Sequence, residues 1–110
     1  MQIFILDEVT VKPGLAKQFD DAYRSGYMPT AEERGMVLRH TWQSPPGFTP
    51  SEVAVTYYYV WSVEGVDGWW KMRLTKRPDG SDSRYEKLAW WQSVSDLIES
   101  RKRVMLTEAL

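Results

Sequence analysis

The chain has 110 residues, a length that suits one domain with a single core and leaves no room for two. Hydrophobic residues make up 43% and charged residues 26%, and 14 Lys+Arg against 15 Asp+Glu give a net charge of -1, so no strong field draws in nucleic acid or an anionic membrane. Cysteine is absent and histidine occurs once, which excludes disulfides, thiolate zinc sites and cysteine nucleophiles, and leaves too few ligands for zinc.

Residues 2–11 (QIFILDEVTV) are β-branched and apolar and then alternate, which predicts a first strand, stopped by Pro13-Gly14. The opening MQIFILDEVT has no basic n-region, and no apolar run approaches the roughly 20 residues of a membrane span, so a cytoplasmic protein with no membrane partner is expected. A helix follows from Leu15, with Phe19, Ala22, Tyr23 and Tyr27 gathered on one face. Pro29 is expected to interrupt it; Thr30 with Glu33 then fits a capping box, and Gly35 ends the segment.

Residues 36–44 alternate as a second strand, with Met36, Leu38, His40 and Trp42 on one face. Pro45-Pro46-Gly47 and Pro50 mark a loop. Residues 52–62 (EVAVTYYYVWS) are apolar on both faces, as in a strand covered on both sides. Asp67 is a candidate N-cap for a helix reaching Leu74, KRPDGSD is a polar loop, and Ser83 with Glu86 opens a helix through Trp90-Trp91 and on to Ile98. Residues 101–107 supply a last short strand. The order is β-α-β-β-α-β, the α+β split βαβ pattern of ferredoxin-like folds. Helices cover one face of such a sheet, and the apolar third strand calls for cover on the other. A homodimer with sheets packed face to face into an α/β barrel supplies it.

VTVKPGLAKQFDDAY, the RGM leading into the second strand, YYYVWSVEG with the Trp-bearing helix after it, and SVSDLIESRKRVML together resemble the NIPSNAP-like proteins. These are dimeric α/β-barrel proteins related to antibiotic-biosynthesis monooxygenases. The resemblance spans nearly the whole chain as a single domain, 1–110, and implies a ferredoxin-like protomer, a homodimer, and a pocket between sheet and helices. It does not imply one reaction, because the superfamily holds cofactor-independent monooxygenases, haem degraders, isomerases and cyclases. The monooxygenases and haem degraders commonly use an asparagine beside the active-site tryptophan. This chain contains no asparagine, so that mechanism does not transfer.

Several residues carry chemistry in this reading. His40, a lone imidazole on an apolar stripe, is a candidate general base or axial haem ligand, against the alternative of a hydrogen-bonded core histidine. Arg73 follows Trp69 and Trp70 by one turn, where it either steadies a substrate oxyanion or covers the indoles. Tyr23, Tyr27, Trp42, Tyr57, Trp61, Trp69 and Trp70 are candidate substrate-binding walls, though each can equally be packing. Asp7-Glu8 and the other paired carboxylates read as solvated charge. The basic stretches 71–73, 76–77 and 101–103 lack a nucleic-acid motif. The expectation is a small-molecule enzyme acting without a metal or cofactor on a hydrophobic, aromatic or polycyclic substrate, by oxygenation, isomerisation or cyclisation. The alternatives are a non-catalytic hydrophobic-ligand or interaction module, and haem binding through His40.

Overall fold

The computed structural model describes residues 1–47, 52–74, 77, 79–81 and 83–109, the side chains of 83–85 excepted. In chain order these form β1 (Gln2–Val11), α1 (Ala16–Ala22), a π turn (Tyr23–Tyr27), α2 (Met28–Glu33), β2 (Val37–Ser44), β3 (Val55–Glu64), α3 (Gly65–Arg73), α4 (Ser83–Ser93), a 3-10 turn (Ser95–Leu97) and β4 (Ile98–Thr107). The strands make one antiparallel sheet in the order β2-β3-β1-β4. This is the expected α+β, ferredoxin-like arrangement.

Alternation along the central strands decides what faces what. Ile5, Val9 and Val11 of β1 and Tyr57, Tyr59, Trp61 and Val63 of β3 are buried toward the helices. There they pack against Phe19, Tyr23, Tyr27, Ala31, Met72, Trp91 and Val94. The opposite face carries Phe4 and Leu6, Tyr58 and Val60, and Val104 and Leu106, and among the described residues no helix covers it.

Local differences from the sequence reading have physical causes. The helix runs through Pro29, with Met28 helical at φ -53 and ψ -43, because a π turn absorbs the missing donor and the ring. Thr30 therefore lies inside α2 and caps nothing; its hydroxyl donates to the Tyr27 carbonyl at 2.7 Å. Gly35 ends α2 at φ 86, where only glycine sits without strain. α3 starts at Gly65, so Asp67 falls in its first turn, and α4 stops at Ser93, leaving β4 to begin at Ile98. Pro50 and the Ser83 side chain of the second capping box lie outside the described residues.

The largest correction concerns β2. Leu38 pairs with Trp61, but a register shift follows, and His40 and Trp42 pair with Val60 and Tyr58. One extra residue turns every later side chain to the other face. Leu38 packs on the core while His40 and Trp42 stand on the uncovered face. Arg39, at the shift, donates from Nε to Ser62 Oγ at 2.7 Å.

Candidate functional site

A charged network lies inside the apolar layer. Asp7 replaces an aliphatic residue on the core stripe of β1, between Ile5 and Val9, and is only 2% exposed. Arg103, opposite it on β4, donates from Nε to Oδ1 at 2.6 Å and from Nη2 to Oδ2 at 3.0 Å. Tyr23 donates its hydroxyl proton to Asp7 Oδ2 at 2.9 Å, and Trp61 Nε1 donates to the Tyr23 oxygen at 2.8 Å. Burial, then the Asp7 charge, pushes the Tyr23 phenol well above its usual range, so it stays protonated. Burial opposes the charge on Arg103, yet hydrogen bonding and attraction to Asp7 prevail and raise it.

Tyr27 is the next member. Its hydroxyl oxygen accepts from Arg103 Nη2 and from Arg34 Nη2, the latter at 3.3 Å. Among the described residues no acceptor takes its own proton. Aromatic rings wall the network: Tyr23 stacks on Tyr59 at 3.7 Å, and Tyr27 meets Trp90 and Trp91 at 5.5 and 5.6 Å. Gly26 makes this closeness possible, since a side chain there would enter the Trp90 indole. Arg103 also lines a cleft of about 320 Å³ with Lys87, Arg101 and Lys102. Burial, followed by Arg103 and Arg34, lowers the Lys87 ammonium to about 8.

Of the sequence candidates, Tyr23, Tyr27 and Trp61 meet in this network, and Tyr57 joins the same layer, donating to the Ala16 carbonyl at 3.3 Å. The remaining candidates lie elsewhere. His40 is exposed and stacks on Trp42 at 4.6 Å on the uncovered face. Trp69 packs partly on the core, Arg73 covers its ring at 5.6 Å, and Trp70 points outward at 56% exposure. Arg34 and Lys87 carry no sequence signal, and Asp7, Arg101 and Arg103 read there as solvated charge and a basic stretch rather than as site residues. Asp7, expected as solvated charge, is buried. A single acid on an apolar stripe was the available signal. Among the described residues no group of three His, Asp or Glu side chains could hold a metal ion, and no helix is long and apolar enough to cross a membrane.

No family model matches the sequence, and no curated protein matches it. Solved structures do. A NIPSNAP domain protein from Burkholderia xenovorans is similar at TM-score 0.66 with 16% identity, over 97% of this chain and 94% of that one. A NIPSNAP family protein from Agrobacterium tumefaciens matches at TM-score 0.66 with 14% identity, over 99% and 94%. A candidate antibiotic biosynthesis monooxygenase from Nitrosomonas europaea matches at TM-score 0.60 with 18% identity, over all of both chains. The structural neighbours are thus the NIPSNAP and monooxygenase-like ferredoxin folds, and at this identity the likeness is one of fold.

Proposed function

We propose that the chain is a metal-free small-molecule enzyme of oxygenase, isomerase or cyclase type, cytoplasmic and homodimeric. It acts on an aromatic or otherwise hydrophobic substrate between the sheet and the helices. The Tyr27 hydroxyl carries this reading. It is buried, accepts from two guanidiniums, and keeps a proton that no described residue accepts. A phenol held this way can donate to an oxyanion developing on a substrate, and Arg103 and Arg34 stand where negative charge would be left behind. Arg103 connects the phenol to the cleft. Tyr23 and Asp7 fix Arg103 and are positioning residues.

His40 and Trp42 are reassigned from the pocket to the dimer seam, on the open face with Phe4, Leu6, Tyr58 and Val60. The dimer reading rests on that apolar face.

The deciding experiment screens aromatic acids, phenols and enolisable ketones for conversion by mass spectrometry, then compares variants on any substrate found. Tyr27→Phe is expected to lower kcat by about a hundredfold or more, whereas His40→Ala leaves it unchanged. Turnover indifferent to Tyr27→Phe would refute the assignment. The second reading, a non-catalytic hydrophobic-ligand or interaction module, draws support from the filled interior, where Phe19, Tyr23, Tyr27, Tyr59 and Trp61 are all fully buried.

A further inference from the structure

The helix-side face of the sheet is unevenly covered. Along β4, Arg101, Arg103 and Met105 share that face, and Met105 is 40% exposed although Ile5, paired with it, is fully buried. The cleft of about 320 Å³ lies at this outer edge of β4, next to Met105, and each of its lining residues, Lys87, Arg101 and Arg103 on the helix side and Lys102 on the other face, is a cation.

Their donors are unequally engaged. Lys102 directs its ammonium to Glu8, 3.7 Å away. Arg103 gives Nε and Nη2 to Asp7 and Tyr27, while its Nη1 has no hydrogen-bond partner among the described residues. Arg101 lies over the Trp91 ring, 3.9 Å from its centroid, and neither it nor Lys87 makes a hydrogen bond or ion pair among the described residues. Trp91 Nε1, in the ring beneath Arg101, is buried with no acceptor among the described residues. Buried donors normally find partners, and Trp91 Nε1 lacks one beside half-buried Lys87 and exposed Arg101, two cations that no described residue pairs, so an anion has open donors to meet here.

The charge is equally lopsided. Lys87 faces Arg101 and Arg103 on β4, Arg34 beyond α2, and Asp7 on β1. Asp7 is already gripped by Arg103 at both oxygens. Burial, then Arg103, also lowers Arg101. Like charges held together this way repel, and an anion among them removes that repulsion.

We propose that this cleft binds the carboxylate of a small aromatic acid, with Lys87 and Arg101 holding its two oxygens and its apolar body lying along Met105. A carboxylate fits better than phosphate. Phosphate sites are usually built from backbone N–H groups at helix starts or glycine loops, whereas these donors are side chains midway along α4 and β4. A guanidinium edge and an ammonium suit the flat, two-oxygen carboxylate. The site deepens the proposed function by fixing the substrate's charge. It is read by binding alone, so loss of the Tyr27 chemistry would leave it standing.

Calorimetry on the full chain with 2-naphthoate, its neutral amide 2-naphthamide and inorganic phosphate tests the site. At about pH 7 the acid is expected to bind about tenfold or more tighter than the amide or phosphate. Lys87→Met and Arg101→Met should each weaken the acid by a similar factor and leave the amide unaffected. In the unsubstituted protein, affinity for the acid should fall as pH rises through about 8, where Lys87 discharges. Equal binding of acid and amide, phosphate binding as tight as the acid, or affinity indifferent to both substitutions would each overturn the proposal. A flat pH profile would do so without any variant.

Discussion

Asp7 and Arg103 stand directly opposite each other on β1 and β4, and the guanidinium holds both carboxylate oxygens, at 2.6 and 3.0 Å. With Asp7 only 2% exposed, the pair sits where charge separation is expensive. Arg103→Met leaves a buried carboxylate without its cation and is expected to cost about 3–5 kcal/mol. Asp7→Leu combined with Arg103→Met should recover most of that loss. Urea denaturation of the single and double variants checks this. Additive losses would show that the pair acts through something other than mutual compensation.

Lys87 makes a prediction of opposite sign. Its folded-state value of about 8 lies below the usual 10.5, so between these values the unfolded chain binds more protons and stability rises with pH. Below about 8 the lysine is charged in both states and its burial is a standing cost. Lys87→Met should therefore stabilise the protein at about pH 7, by about 1–2 kcal/mol once solvent screening of this half-buried group is allowed for. The advantage should shrink as pH rises from about 8 toward 10.5. Denaturation midpoints of both proteins across that range give the test, and a gap independent of pH would contradict it.

Gly26 tests the tightness of the aromatic layer. A methyl group there meets the Trp90 indole nitrogen and Cδ1, and the ring is already wedged against Phe19, Tyr23 and Tyr27. Gly26→Ala is expected to cost about 1–3 kcal/mol, despite alanine's better helix propensity. A thermal unfolding curve suffices; an unchanged or raised midpoint would mean that Trp90 can leave its place freely.

The uncovered sheet face predicts association. Leu6 lies near its middle, flanked by Val60 and Val104 on the neighbouring strands. Sedimentation at micromolar concentration should show a dimer, and Leu6→Lys should convert it to monomer. A folded monomer in the unsubstituted protein would refute the face-to-face arrangement.

Strand and helix order were legible in the sequence because periodicity reports which face is buried. Residues 2–11 match β1 end for end, and the alternation of Tyr57, Tyr59 and Trp61 placed their rings correctly on one side. His40 was misplaced because alternation presumes unbroken pairing, and a shift between Leu38 and His40 leaves no mark in residue type. Asp7 and Arg103 are 96 positions apart, and only the β1–β4 register makes them partners. The cleft depends on where α4 passes over β4, which no local pattern states. Tyr23, Tyr27 and Trp61 were found as aromatic walls; their hydrogen bonds became visible only with the buried acid beside them.

A crystal structure with 2-naphthoate bound shows whether substrate chemistry lies on the helix side of the sheet, above the Asp7–Arg103–Tyr27 network. The expected result is the carboxylate on Lys87 and Arg101 with the rings along Met105. Naphthoate seated on the opposite face beside His40 and Trp42, with the cleft empty at a saturating concentration, would contradict it.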